Sequence, residues 1–387
     1  MVRPPDSSAR SGAADSILRA PRGLVLSVAL LALLTLACLP AQAPAPSHRH
    51  HRPTPPTAPP LVPPEPPSPP AEDPVDPPEV TGTTYYVAPT GSDAAAGTIE
   101  APFRTVEHGL RSLVAGDLLL VRQGTYNERI QSPPVASGSA SEPIHVRAYP
   151  GERPVVSGLL WMKDASHWHI SGLNVTWGPS NSASEHMVKF TNGTGWVFSD
   201  SEVWGARSYA AILVAGNASD WTITGNYVHD TYPANGTNQD HLIYTNSGTG
   251  GGVIERNLLV GSANGRAVKI GPPSAHSGVV ENVTVRYNTM FGNTGPSNIQ
   301  LAWGSSNNEI YGNIMVRPAP NRSNVTAFEL TGSGNVVHDN LGWEAPRIAD
   351  ASQGLVDGGG NVMADPQLAG GDLVPQSSAA QAYGHLA

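Results

Sequence analysis

The chain repeats one short pattern: ITGN at residues 223–226, IERN at 254–257, VRYN at 285–288, IYGN at 310–313 and VHDN at 337–340. In each copy an apolar residue precedes an asparagine by three positions, and successive asparagines lie 31, 31, 25 and 27 residues apart. Between the copies, short alternating runs rich in Val, Ile, Thr, Asn and Gly favour strands and turns. This period suits one turn of three short strands in a solenoid and is shorter than a propeller blade of about 40 residues. The sequence therefore predicts an all-β solenoid, a parallel β-helix.

Asparagine at one register in successive turns indicates an internal ladder. Turns of a parallel solenoid stack about 4.8 Å apart, so each side-chain amide can bond to the next one. Such a ladder satisfies polar groups that the solenoid buries. A β-sandwich is the competing fold, but it gives no reason for asparagine to recur in this way.

Both ends of a solenoid need covering. Residues 103–114 have the pattern of an amphipathic helix, with Val106, Leu110 and Leu113 on one face. We expect this N-terminal capping helix to plug the first turn. At the other end, residues 365–368 and 373–375 have the composition of an irregular closing segment.

Residues 84–129 carry a family resemblance. The stretch contains YYV at 85–87, APF at 101–103, AGD at 115–117 and GTY at 124–126. It resembles the opening of the right-handed parallel β-helix proteins of the pectate-lyase-like superfamily, as does ADP at 364–366. The resemblance implies this fold over residues 83–387. It implies no single activity, because that superfamily contains lyases, epimerases, hydrolases and proteins without known activity.

The N-terminal region predicts export. Arginines precede an apolar run at residues 24–39, and AQA follows at 41–43, which is typical of a signal peptide spanning 1–43. A membrane anchor helix and a lipid anchor on Cys38 are the alternatives. Residues 44–82 are dominated by proline and predict an extended, disordered linker. We expect a secreted or cell-envelope protein that meets a membrane only through an uncleaved N-terminal segment.

Charge and cysteine content restrict the partners. The formal net charge of −9 argues against nucleic acid. The single cysteine, Cys38, excludes an internal disulfide framework and a cysteine-based zinc site. We expect a monomer that acts on, or binds, an acidic polysaccharide.

Alignment of the strand before each repeat places one outward-facing residue in each turn. The predicted row runs Lys189, Leu213, Tyr244, Lys269, Gln300 and Glu329. Three positions upstream, the same alignment puts His241 beside Arg266. The predicted site is therefore a catalytic patch of Lys269, Arg266, His241 and Tyr244, with Lys189, Gln300 and Glu329 as substrate-binding residues.

This patch has the groups that β-elimination on a uronic-acid polymer requires. Arg266, or a bound Ca²⁺, would neutralise the sugar carboxylate and so acidify the C5 proton. Lys269 or His241 would take that proton, and the Arg266 charge would lower the pKa of Lys269 toward the working pH. Tyr244 would protonate the leaving oxygen. Each residue also has a plain structural role open to it: turn hydrogen bonding, packing or surface charge.

Asp230, Asn238 and Asp240 lie near one turn and are the candidate Ca²⁺ ligands, although Asp and Asn are also common turn residues. Two other functions stay open. A tethered β-helix can bind glycan without catalysis. An inverting glycoside hydrolase would need two carboxyl groups about 6.5–9.5 Å apart, for which Asp240 and Glu329 are the candidates.

Overall fold

The computed structural model describes residues 80–182, 185–233, 239–293 and 295–387. These residues wind into a right-handed parallel β-helix, which confirms the predicted fold. Strands of successive turns pair in parallel and build three long sheets. The predicted signal peptide, 1–43, and nearly all of the predicted linker, 44–82, lie outside the described residues, so these boundaries stay predictions.

The three sheets receive their strands from the chain in alternation. Sheet 1 contains β1 (Thr84–Val87), β2 (Leu118–Val121), β5 (Ile144–Ala148), β8 (Trp168–Ser171), β11 (Val197–Ser199), β14 (Trp221–Thr224), β17 (Gly252–Glu255), β21 (Val283–Arg286), β25 (Glu309–Tyr311), β28 (Val336–His338) and β30 (Val356–Gly359). Sheet 2 contains β4 (Arg129–Gln131), β7 (Leu159–Lys163), β10 (Val188–Thr191), β13 (Ala210–Ala215), β16 (His241–Asn246), β19 (Val268–Ile270), β23 (Ile299–Ala302) and β27 (Val325–Phe328). Sheet 3 contains β3 (Thr125–Tyr126), β6 (Val155–Ser157), β9 (Asn174–Thr176), β12 (Glu202–Trp204), β15 (Tyr227–Thr231), β18 (Leu258–Ser262), β22 (Thr289–Phe291), β26 (Ile314–Val316), β29 (Leu341–Trp343) and β31 (Val362–Met363).

Smaller elements complete the described chain. A parallel pair is formed by β20 (Val280–Glu281) and β24 (Ser305–Ser306), and an antiparallel pair by β32 (Leu368–Ala369) and β33 (Val374–Pro375). Short 3₁₀ turns span Ala351–Gln353 and Ser378–Ala380. In the described part of the chain, no helix is long and apolar enough to cross a membrane.

The core runs without a break along the inside of the solenoid, from Val87 to Leu355. It forms because alternate residues of each short strand point inward, where the next turn covers them. Large rings fill its N-terminal half, including Trp168, Phe190 and Trp221, each at most 1% exposed. Burial of each such side chain contributes about 1.5–3 kcal/mol to folding.

The asparagine ladder is present and continues beyond the repeats that predicted it. Each Nδ2 donates to the Oδ1 of the next rung, at 3.0 Å from Asn226 to Asn257 and 2.9 Å from Asn257 to Asn288. The series proceeds through Asn313 and Asn340 and ends at Asn361, whose Oδ1 accepts at 3.1 Å. A second short ladder joins Asn308 to Asn335 at 2.8 Å, which the repeat pattern did not predict.

The expected helix is α1 (Val106–Ser112), preceded by Thr105, whose side chain accepts a hydrogen bond from the backbone N–H of His108. Val106 and Leu110 are fully buried in the core. The helix contacts β1 and β2. Its role as the cap of the first turn stays a prediction.

The C-terminal end of the chain, beyond the predicted closing residues, packs on the outer face of sheet 3, and closure of the last turn by residues 365–368 and 373–375 stays a prediction. Ala380 packs with Ile314 and Leu341, which project from the outer face of sheet 3. The Gly384 N–H bonds to the Gly312 carbonyl, and the His385 N–H bonds to Thr289 Oγ1. The segment therefore runs back along sheet 3, where it buries the apolar residues that project from the outer face.

Candidate functional site

The predicted outward row lies on sheet 2. In register, turn by turn, it runs Lys189, Leu213, Tyr244, Lys269 and Gln300. Leu213 and Tyr244 belong to a small apolar cluster separate from the main core, which shows that they lie on the outer face. The residues that directly follow members of the row in the chain, such as Phe190, Val214 and Ile270, belong to the main core.

The register predicted for Glu329 is wrong. Gln300 pairs with Thr326, which takes the place in the row that Glu329 was expected to fill. Glu329 follows β27 with a left-handed φ of 46°, and its carboxylate accepts a hydrogen bond from Trp303 Nε1 at 3.2 Å. Strand β27 begins at Val325, which is fully buried.

Lys269 is the centre of the site. Its side chain is 9% exposed, and its Nζ lies 4.8 Å from the ring centroid of Tyr244 and 5.3 Å from that of Trp303. No carboxylate of the described residues is within ion-pair distance of this ammonium group. Burial, and then the nearby charge of Arg266, lower the pKa of Lys269 to about 8. A lysine in this state supplies a useful fraction of free amine near neutral pH.

Arg266 lies at the strand entry, three residues before Lys269, and is 5% exposed. Burial lowers the pKa of this guanidinium, and the charge of Asp240 acts in the opposite direction. The group stays charged at neutral pH. It is therefore a fixed positive charge beside the lysine.

Asp240 is fully buried, and its carboxylate accepts the backbone N–H of Asn264 at 3.0 and 3.2 Å. Burial raises the pKa of Asp240, although the Asn264 hydrogen bond and the Arg266 charge lower it. The Asp240 carbonyl also accepts hydrogen bonds from the hydroxyls of Thr231 and Ser262, each at 2.7 Å. Asp240 thus organises the turn that presents Arg266.

His241 is a structural neighbour of these charges. Its Nδ1 accepts the backbone N–H of Arg266 at 3.2 Å, which places the ring proton on Nε2. Burial, and then the charges of Lys269 and Arg266, hold the pKa of His241 well below its usual value. The imidazole is neutral, and its Nδ1 lone pair is occupied, so it is poorly suited to act as a base.

Tyr244 lies between the lysine and this histidine. Its ring centroid is 5.8 Å from that of His241. Burial raises the pKa of Tyr244 to about 12, although the side chain of Asn246 acts in the opposite direction. The phenol therefore keeps its proton at neutral pH, and its hydroxyl is buried.

Two flanking aromatic residues were missed from sequence. Trp161 pairs in register with Lys189, whose Nζ lies 4.3 Å from the indole centroid. One further turn of the alignment would have placed Trp161 in the row. Trp303 follows β23 outside any strand, so the alternation that located Lys269 gives no signal for it.

Two of the three predicted Ca²⁺ ligands lie in the described residues, and both are engaged by protein groups, so the Ca²⁺ site stays a prediction. The Asp230 carboxylate bonds to His229 Nδ1 at 2.8 Å, and the Asp240 carboxylate is held by a backbone N–H. Asn238 lies outside the described residues. Across the described ranges, no group of three or more His, Cys, Asp or Glu side chains could hold a metal ion.

Comparisons with known proteins agree with the fold. Residues 85–255 match the family model described as the Pel9A-like, right handed beta helix region. The fold and this match confirm the predicted resemblance to right-handed parallel β-helix proteins of the pectate-lyase-like superfamily.

Two curated relatives match part of the chain. Pectate lyase PEL9 of Emericella nidulans is 32% identical over 122 residues, which cover 26% of this chain and 30% of that protein. Uncharacterized protein YwoF of Bacillus subtilis is 36% identical over 108 residues, covering 25% and 23%. The chain thus spans less than a third of the length of either relative.

A solved structure titled "Glycoside hydrolase" superposes with a TM-score of 0.54 at 8% identity, covering 78% of this chain and 99% of that one. At this identity the likeness shows the fold alone.

Proposed function

We propose that this protein is a polysaccharide lyase that cleaves a uronic-acid polymer by β-elimination. The observation that carries the proposal is Lys269, a buried lysine with a pKa lowered to about 8, on the outer face of sheet 2 beside Arg266. Perturbed titratable groups of this kind are typical of catalytic sites. The match to a pectate lyase supports the same reaction class.

In the proposed reaction, Arg266 pairs with the carboxylate of the sugar that loses its C5 proton. This contact stabilises the negative charge that develops on the carboxylate as the proton leaves. The Lys269 amine takes the proton and becomes an ammonium ion. Lys269 is preferred over His241 as the base because the histidine Nδ1 already accepts a backbone hydrogen bond.

The C5–H electron pair then forms the C4–C5 double bond, and the bond from C4 to the glycosidic oxygen breaks. Tyr244 donates its phenolic proton to the leaving oxygen, so one chain end carries an unsaturated sugar and the other a hydroxyl. The Lys269 ammonium, 4.8 Å from the Tyr244 ring, is the nearby acid from which the phenolate regains a proton. Tyr244 and Lys269 are 8% and 9% exposed, and the Tyr244 hydroxyl is itself buried, so this proton transfer requires the phenol to turn toward the bound sugar.

Ca²⁺ is the alternative group for the carboxylate, but the described residues do not fit it. The Asp230 carboxylate is bonded to His229, and the Asp240 carboxylate to the Asn264 backbone. The proposal therefore gives the charge-neutralising role to Arg266. Removal of Ca²⁺ with EDTA is then expected to leave the reaction rate unchanged.

The hydrolase alternative has no suitable carboxyl pair in Asp240 and Glu329. Asp240 precedes β16, whereas Glu329 follows β27, three turns along sheet 2 and at the opposite end of the strands. Three turns correspond to about 14 Å, which exceeds the separation that inverting hydrolases use. Glycan binding without catalysis is the remaining alternative. In either case the apolar stretch at 24–39 supports an extracytoplasmic location.

The test uses the full-length protein with polygalacturonate, alginate and chondroitin sulfate, in Ca²⁺ and in EDTA. Ultraviolet absorbance follows the unsaturated sugar. We expect activity on one acidic polymer and a loss of about 10²-fold or more in Lys269→Ala, the usual contribution of a general base. Arg266→Lys keeps the charge and is expected to lose less than Arg266→Ala.

Arg256→Gln is the matched control, because Arg256 is exposed and lies over Tyr287 away from sheet 2. Full activity in Lys269→Ala would remove the proposed base. New reducing ends without ultraviolet absorbance would identify a hydrolase instead. Binding without any cleavage would leave the non-catalytic alternative.

A further inference from the structure

Sheet 2 carries a charge pattern opposite to that of the protein. The chain has a formal net charge of −9, and its only lysines are Lys163, Lys189 and Lys269. All three lie in strands of sheet 2. Within their described bounds, the eight strands of this sheet contain no Asp or Glu residue. A cationic face on an acidic protein favours an anionic ligand.

A second lysine on an aromatic ring repeats the arrangement at Lys269. Lys189 Nζ lies 4.3 Å from the ring centroid of Trp161, whose Nε1 donates to Thr191 Oγ1 at 3.1 Å. The indole is therefore fixed in position, and it holds the ammonium group above its face. Lys189 has no carboxylate within ion-pair distance among the described residues, whereas Lys163 pairs with Asp164 at 3.4 Å.

The two lysine–aromatic pairs belong to one row. From Lys189 the register passes through Leu213 and Tyr244 to Lys269, which is three turns. At about 4.8 Å for each turn, the two ammonium groups are separated by about 14 Å along the solenoid axis. Trp161 and Lys189 are only half-buried, so a ligand on the outer face can reach both.

We propose that Trp161 and Lys189 form a second carboxylate subsite, which binds a uronate of the same polymer chain that reacts at Lys269. This inference rests on the proposed function. The polymer then crosses the strands of sheet 2 and follows the solenoid axis. A sugar residue in an extended chain is about as long as one turn of the solenoid is high, so an oligosaccharide must span several residues to occupy both subsites.

The length of the oligosaccharide is therefore the variable that tests for a second subsite. The variant is Lys189→Gln, which removes the charge, and Lys189→Arg retains it. The control is Arg256→Gln, which removes a cation over an aromatic ring that is not on sheet 2. Affinity electrophoresis measures binding to the polymer that wild type cleaves or, if it cleaves none, to polygalacturonate, alginate and the neutral polymer dextran.

We expect Lys189→Gln to bind the acidic polymer about three- to fivefold more weakly at low salt, the range of a single partly exposed ion pair. Lys189→Arg and Arg256→Gln are expected to match wild type. The difference should disappear near 1 M salt, where the Debye length is about 3 Å. With oligosaccharides that wild type cleaves, Lys189→Gln should raise KM for long chains and leave disaccharides unaffected.

Binding and cleavage separate the two proposals. If wild type cleaves nothing but Lys189→Gln weakens acidic polymer binding, the subsite stands and the lyase proposal fails. Equal binding by Lys189→Gln and wild type overturns the subsite, as does equal weakening in Arg256→Gln. A loss that is the same for disaccharides and long chains overturns it as well.

Discussion

The pH dependence of cleavage follows from the state of Lys269. A general base works only as the free amine, so kcat/KM should follow the deprotonated fraction of the free enzyme. With a pKa of about 8, that fraction is about 1% at pH 6, about 9% at pH 7, about 50% at pH 8 and about 90% at pH 9. The rate should rise about ninefold from pH 6 to pH 7, about fivefold from pH 7 to pH 8 and about twofold from pH 8 to pH 9.

The assay is the initial rate of ultraviolet absorbance at low substrate concentration, measured from pH 6 to pH 9 at constant ionic strength. Tyr244 has a pKa of about 12 and stays protonated throughout, so it adds no descending limb. His241 as the base predicts a different curve. Because its pKa lies well below 6.5, it would give a nearly flat profile over the same range.

A flat profile between pH 6 and pH 8 would therefore refute the assignment of Lys269 as the base. Lys269→Arg is the companion variant, since arginine stays protonated in this range and cannot take the proton. We expect it to retain charge and fold while losing the rising limb together with most of the activity. A Lys269→Arg protein that keeps the wild-type profile would point to another base.

Two further predictions concern stability. Asn288 is fully buried and central in the ladder, so Asn288→Leu should lower the free energy of unfolding by about 3 kcal/mol, because its buried partners lose their hydrogen bonds. Asn361→Ala, at the half-buried end of the ladder, should lower it by about 1 kcal/mol. Equal losses for the two variants in urea denaturation would contradict this view of the ladder. Burial lowers the pKa of His229, but its hydrogen bonds to Asp230 and Glu202 outweigh burial and raise it. The stability that the protonated His229 contributes should therefore be complete below about pH 6.5 and should fall as the pH rises through the folded pKa. The urea midpoints at pH 5.5 and pH 8 should differ less in His229→Gln than in wild type.

The fold was predictable because one physical constraint recurs in every turn. An asparagine that must bond to the asparagines above and below it, beside an inward apolar residue, marks the register directly in the sequence. This is why alignment to the repeats, together with alternation, predicted the positions of Tyr244 and Lys269 correctly. The ladder also continued to Asn361, where the apolar part of the pattern had already ended.

The error at Glu329 shows the limit of alternation. Phe328 and Leu330 flank Glu329 and imitate a strand, although β27 ends at Phe328 and Glu329 adopts a left-handed conformation. In a turn with several apolar residues, alternation fits two registers equally well. Trp303 was beyond prediction for a different reason, because a residue outside the strands has no periodic signal.

The roles of Asp240 and His241 also needed the structure. Both residue types suggested chemistry, but their bonds go to backbone N–H groups of the next turn, at Asn264 and Arg266. Sequence shows which side chains are near each other in register. It does not show which of them the backbone has already engaged.

The backward course of the C-terminal segment alters how the solenoid can come apart. A stack of turns that touch only their neighbours can fray one turn at a time from either end. In this protein His385 bonds to Thr289, 96 residues earlier, and Gly384 bonds to Gly312. While these bonds hold, the final turns, where Val356 and Met363 are exposed, stay tied at both ends to earlier turns and can open only as a closed loop. A molecule built as a one-dimensional array thereby gains a long-range connection at the end that would otherwise open first.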